Sequence, residues 1–69
     1  MNIFAERLKE LREENNLNQT QLAKALGVSV ACVNRWEKSV RVPDINSIIV
    51  ICNYFGCSSD YLLGINNLK

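Results

Sequence analysis

The sequence predicts an all-α fold, a compact bundle of five short helices in one domain spanning residues 1–69. Three observations carry that prediction. Apolar residues recur at helical spacing, as in Phe4, Leu8 and Leu11; capping side chains precede such segments at Asn18, Ser29, Asp44 and Ser58; and Gly27, Gly56 and Gly64 stand where segments stop. No stretch alternates as a strand does, and no repeat or low-complexity tract interrupts the pattern. With 69 residues, 48% of them hydrophobic and 22% charged, the chain suffices for one small core and is too apolar for a disordered segment.

The first helix places Phe4, Leu8 and Leu11 on one face and seven charged residues between and after them. Glu6 and Lys9 are three apart and Lys9 and Glu13 four apart, so these charges are expected to pair along the solvent face. Asn15 and Asn16 end the helix. Asn18 then caps a second helix, from Gln19 to about Leu26, and Gln21 completes a capping box in which each side chain satisfies an orphan amide of the other's residue. Gly27 stops it, because glycine enters the left-handed conformation without steric cost.

Ser29 caps a third helix with Val33 and Trp36 inward, Val28 packing ahead of it, and an end near Lys38. Val40 to Pro43 is a connection, since the residue before proline is driven out of the helical region. Asp44 caps a fourth helix whose expected inner face is Ile45, Ile48, Cys52 and Phe55, with Gly56 as its stop. Ser58 caps a fifth, Asp60 sits favourably near its positive end, and Gly64 closes it. The tail from Ile65 to Lys69 has no period.

Composition excludes several functions. The longest unbroken apolar run, Ile48 to Cys52, is five residues, where a membrane span needs about 18. Charged Glu6 and Arg7 appear before any apolar signal segment has formed, so a cytoplasmic protein is expected. Cys32, Cys52 and Cys57 lack the pairing and the fourth ligand of a zinc site, and the chain has no histidine; reduced thiols and no metal or cofactor are expected. Only Asp44 and Asp60 lie outside the charged helices as acids, and no glycine-rich phosphate loop exists, so no acid–base pair or activated nucleophile assembles. An enzyme is not expected.

The informative stretch runs from residue 19 to residue 38. Two helices of about eight residues joined by a tight turn at Gly27 cannot lie antiparallel and must cross steeply, which is helix-turn-helix geometry. Ala23 is small where the two helices approach, and Leu22, Leu26, Val28, Val33 and Trp36 supply the inner face.

Here the chain resembles the Cro/C1-type (XRE-like) helix-turn-helix regulators of bacteria and their phages. The matching segments are Arg7 to Arg12, Asn18 to Ala23, Leu26 to Ser29, Arg35 to Glu37, Pro43, and Asp60 to Gly64, in the family's order and spacing. The resemblance covers almost the whole chain and implies a lambda-repressor-like domain. Such a domain docks its third helix, about residues 29–38, in the major groove of double-stranded DNA and usually binds as a dimer. It also implies a buried ion pair between Arg12 and Glu37, and backbone contacts at Asn18, Gln19 and Ser29. Ser39 departs from the pattern, standing where glycine commonly follows the third helix.

With Val33 and Trp36 turned inward, Val30, Ala31, Asn34 and Arg35 face out and are the candidate base readers. Arginine reaches guanine O6 and N7, asparagine pairs with adenine, and small apolar groups meet thymine methyls. Phosphates are expected at Asn18 and Gln19, where the start of a helix offers free amides, at Ser29, and at Lys38 and Arg41. The same residues also suit plain caps and a solvated helix face.

The expected function is therefore sequence-specific DNA binding by a small regulator, most simply a repressor on a palindromic operator. The expected homodimer forms through the apolar C-terminal residues Leu62, Leu63, Ile65 and Leu68. Those residues equally suit an interaction module of the same fold, such as an antitoxin or a bridging factor; capture of a neighbouring gene's product separates the two. Residues 1–17 carry three bases and four acids, residues 18–41 four bases and one acid, and residues 42–69 one base and two acids. The formal net charge of +1 thus conceals a local surplus of three on the middle segment. That modest surplus releases few counterions per subunit, an argument for two copies on the DNA.

Overall fold

A computed structural model of the chain describes residues 2–69. Its elements are α1 (Ile3–Glu14), α2 (Gln19–Leu26), α3 (Val30–Glu37), α4 (Ile45–Phe55) and α5 (Ser59–Leu63), with no strand among the described residues. None of these helices is long and apolar enough to cross a membrane.

Each helix begins on a side-chain cap. Asn2, Asn18, Ser29, Asp44 and Ser58 each accept the amide three residues on, satisfying a donor that the helix itself leaves orphaned. The ends also share one chemistry: a residue in the left-handed region, followed by an amide that reaches back to the carbonyl five residues earlier. At the end of α2 this residue is Gly27, with φ +72°, and the Val28 amide donates to the Ala23 carbonyl at 3.0 Å. Val28 is thereby turned onto the core, and the next helix starts two residues later.

The core is built from Phe4, Leu8 and Leu11 of α1, Leu22, Ala23 and Leu26 of α2, Val33 and Trp36 of α3, Ile51 of α4, and Tyr61 and Leu62 of α5. Phe4 meets Trp36 edge to face, ring centroids 6.2 Å apart, which places the indole in the interior rather than against a ligand.

Two expectations are corrected. Ile45 is 78% exposed and the fully buried residue of α4 is Ile51. The inner face is thus Ile48, Ile51, Cys52 and Phe55, because Ile45, in the first turn, lies about 70° off its centre at 100° per residue. Leu62 is fully buried and completes the core, so it offers nothing to a second copy, whereas Leu63, Ile65 and Leu68 are exposed. The aperiodic tail is nonetheless held in place. Arg7 donates to the carbonyls of Tyr61 (2.6 Å) and Asn66 (3.0 Å) and to Asn67 Oδ1 (2.7 Å), its guanidinium lies over the Tyr61 ring, and Lys69 pairs with Glu14 at 2.7 Å.

Candidate nucleic-acid interface

The outward face of α3 is presented by a framework of polar bonds. Ser29 Oγ accepts the Cys32 amide at 3.1 Å and opens the helix; Val30, Ala31 and Arg35 are exposed, while Cys32 and Asn34 are half-buried. Val33 and Trp36 anchor the opposite face in the core.

Glu37, the last residue of α3, is buried and accepts two bonds from Arg12 of α1, Nε to Oε2 at 2.7 Å and Nη2 to Oε1 at 3.1 Å. The remaining Arg12 nitrogen donates to the Leu17 carbonyl at 2.9 Å, drawing in the α1–α2 connection. The hydrogen bond to Glu37 raises the Arg12 pKa above its ordinary value and outweighs the opposing effect of burial. Gln19, at the start of α2, donates to Glu37 Oε1 and accepts from Asn34 Nδ2, both at 3.2 Å. Asn34, Gln19, Glu37 and Arg12 therefore form one continuous chain of bonds across α3, α2 and α1. The Gln19 links are invisible to helix periodicity, since they join residues 15 and 18 positions apart on separate elements.

Asn18 is exposed and makes the full capping box, its Oδ1 accepting from Gln21 N at 2.7 Å and its own amide donating to Gln21 Oε1 at 2.9 Å. Lys38 is the exposed C-cap of α3, and Arg41 is exposed in the following turn. Ser39 adopts φ +61° without being glycine; its amide donates to the Trp36 carbonyl at 3.2 Å and that of Val40 to the Arg35 carbonyl at 2.9 Å. The turn thus keeps the geometry that glycine would favour and carries strain instead. Ser39 Oγ accepts the Asn2 amide at 3.1 Å, tying the turn to the start of α1.

Lys9, which sequence spacing pairs with Glu6 and Glu13, makes no ion pair within 4.0 Å among the described residues. Instead it borders a cleft of about 430 Å³ with Arg12, Gln19, Asn34, Glu37 and Lys38. The signal was present: Lys9 precedes Arg12 by three residues, so the helix phase that turns Arg12 toward α3 carries Lys9 to the same side. No group of three or more potential metal ligands occurs among the described residues. The three cysteines are free thiols; burial, then the neighbouring Cys57, pushes the Cys52 pKa up to about 11.

Residues 8–62 match a protein-family model described as "Helix-turn-helix". The transcriptional activator BcrR of Enterococcus faecalis is 38% identical over 60 residues, covering 87% of this chain and 29% of that protein. Repressor protein C2 of Salmonella phage P22 is 31% identical over 61 residues, covering 88% of this chain and 28% of that one. The crystal structure of the P22 c2 repressor in complex with a synthetic operator superimposes with a TM-score of 0.86 at 29% identity, covering 96% of this chain and 100% of that chain. The chain spans under two thirds of the length of these curated relatives.

Proposed function

From the chain's membership of the Cro/C1-type helix-turn-helix family, we propose that it is a DNA-binding unit that recognises a specific double-stranded sequence as a small cytoplasmic transcriptional regulator, most simply a repressor. Its helix-turn-helix spans residues 19–38, and α3 enters the major groove. The observation that carries this reading is that α3 exposes Val30, Ala31 and Arg35 while its inner face and its last residue, Glu37, are locked to the core and to α1. Arg35 is the first candidate for a guanine, and Val30 and Ala31 for thymine methyls. Asn34 spends one Nδ2 hydrogen on Gln19 and keeps its carbonyl and second hydrogen for an adenine edge. Asn18, Gln19, Ser29, Lys38 and Arg41 fix register on the phosphates, and catalysis has no part in this reading.

A homodimer on a palindromic operator follows from the small local charge, with Leu63, Ile65 and Leu68 as its contacts. All three are exposed, by 45%, 72% and 76%. Selection of purified protein against random duplex DNA should return an inverted repeat with half-sites about 34–36 Å apart. Recovery of no motif at moderate salt overturns the reading. Sedimentation of Ile65→Asp and Leu68→Asp variants should show weakened self-association; loss in Ile45→Asp instead moves the contact to α4.

One observation favours an interaction module such as an antitoxin or bridging factor: α4 carries no charged residue and leaves Ile45, Ile49, Val50 and Tyr54 exposed. Co-purification of a neighbouring gene's product, with no motif from the selection, would establish that alternative.

A further inference from the structure

The corner between α4 and α5 carries two of the chain's three free thiols, Cys52 and Cys57. Gly56 closes α4 in the left-handed region, with φ +67°, and the Cys57 amide reaches back to the Cys52 carbonyl at 3.1 Å. A helix end of this kind sets the side chains of the two bonded residues against each other, ordinarily as a small apolar contact. Here both are cysteines, close enough for the Cys57 thiol to raise that of Cys52. The backbone bond holds the two Cα atoms within about 7 Å of each other, and about 7 Å is the separation beyond which two cysteines cannot be bridged without moving the backbone. Both residues are half-buried at the edge of the core, within reach of a molecule as small as hydrogen peroxide.

We propose that Cys52 and Cys57 are a reversible thiol–disulfide pair, a modification site whose oxidant is a hydroperoxide. Burial, followed by the neighbouring Cys57, pushes the Cys52 pKa up to about 11, so Cys52 stays protonated at neutral pH and Cys57 is the thiol that meets the oxidant. The Cys57 thiolate attacks one peroxide oxygen. A sulfur–oxygen bond forms, the oxygen–oxygen bond breaks, and the displaced hydroxide takes up the proton that the thiol released, leaving water and a sulfenic acid. The Cys52 sulfur then attacks Cys57 Sγ, a sulfur–sulfur bond replaces the sulfur–oxygen bond, and the departing hydroxide takes the Cys52 proton. Two thiols and one peroxide thus yield one disulfide and two waters, with sulfur oxidised and the peroxide oxygens reduced. A thiol such as glutathione reverses the step by exchange. The ring so closed spans residues 52–57 and fixes the corner from which α5 leaves α4. In a reducing compartment such a bond is transient and registers an oxidant rather than holding the fold together. This site is independent of DNA binding and stands or fails by itself.

The test is oxidation of the full chain by hydrogen peroxide with a chelator present, followed by alkylation under denaturing conditions, tryptic digestion and mass spectrometry. Cleavage after Lys24, Arg35 and Arg41 puts Cys32 in fragment 25–35 and the pair in fragment 42–69. Fragment 42–69 should emerge unalkylated and lighter by two hydrogens while fragment 25–35 is alkylated, a loss of two of the three thiols that dithiothreitol restores. Cys52→Ser should stall the reaction at a Cys57 sulfenic acid that dimedone traps, and Cys57→Ser should leave Cys52 open to alkylation. The same exposure in unfolding urea should close the ring more slowly, because the native turn no longer holds the pair together.

An alkylated fragment 42–69 of unchanged mass, at an exposure that oxidises free glutathione, makes the contact an inert apolar one and overturns the proposal. A linkage between fragments 25–35 and 42–69, or between two copies of 42–69, overturns it as well. Dimedone capture in the parent to the extent seen in Cys52→Ser means that Cys52 does not resolve the sulfenic acid, again against it. So does ring closure no faster in the folded chain than in urea. Where either variant fails to fold, the fragment masses of the parent and its rate in urea decide alone.

Discussion

Arg12 and Glu37 form a two-pronged ion pair, with N–O distances of 2.7 and 3.1 Å, that joins the third turn of α1 to the last residue of α3. The side chains are 13% and 5% exposed, so neither charge is well solvated if its partner is removed. Arg12→Met or Glu37→Gln alone should cost about 3–5 kcal/mol, while replacing both by apolar residues should recover most of the loss. Urea unfolding of the two single variants and the double variant checks this; additive losses would mean the two side chains act independently.

Ser39 is held at φ +61°, a conformation that costs a non-glycine residue about 1–2 kcal/mol. Ser39→Gly should raise stability by about 1 kcal/mol or somewhat less, since the bond from the Asn2 amide to Ser39 Oγ is lost at the same time. A midpoint unchanged or lowered in thermal unfolding would show that the Asn2 bond outweighs the strain.

The two isoleucines of α4 separate sharply. Ile51→Ala should cost about 2–5 kcal/mol, as for a fully buried aliphatic side chain. Ile45→Ala, at a position 78% exposed, should change monomer stability by less than about 0.5 kcal/mol. Chemical denaturation at low protein concentration distinguishes the two, and comparable losses would contradict the packing.

Hydrogen bonds from the Ser47 amide, at 2.8 Å, and then from its hydroxyl hold the Asp44 carboxyl below its ordinary value of 3.8. A folded-state pKa below the unfolded one stabilises the fold above the unfolded value, and that contribution disappears as pH falls through the folded value. Asp44→Asn keeps a capping oxygen but removes the titration. Unfolding midpoints of parent and variant should therefore converge as the pH drops below 3.8, and a gap independent of pH would count against the charged cap.

For Arg35, exposed on α3, Arg35→Ala should weaken operator binding by about 1–3 kcal/mol and relax preference at one base position. A uniform loss across all sequences would make it a phosphate contact instead.

Helix boundaries were legible because their signals are local. The caps at Asn18, Ser29, Asp44 and Ser58 and the stops at Gly27, Gly56 and Gly64 act on amides and carbonyls within a few residues, so the order of residue types is sufficient. What α4 buries was less legible. An uncharged helix lacks the polar stripe that fixes its rotation, and the apolar positions of Ile45–Phe55 fit more than one face. Leu62 was less legible for a related reason, since a five-residue helix has no full period, and the order of the tail leaves no local signal because it is held by Arg7, 59 and 60 positions away. In the interface, outward residues followed from turning Val33 and Trp36 inward. The bonds from Gln19 to Asn34 and Glu37 did not, since polar contacts between elements leave no periodic trace.

The bonds of Gln19 to Asn34 and Glu37 also bear on how readily such a domain can be retargeted. Exchanging Asn34 leaves Gln19 Oε1 without its donor, and Gln19 in turn shares the carboxylate that Arg12 neutralises. A grafted recognition surface therefore arrives with obligations to two other helices. Swaps at Val30, Ala31 and Arg35 are modular, whereas position 34 is inherited together with position 19.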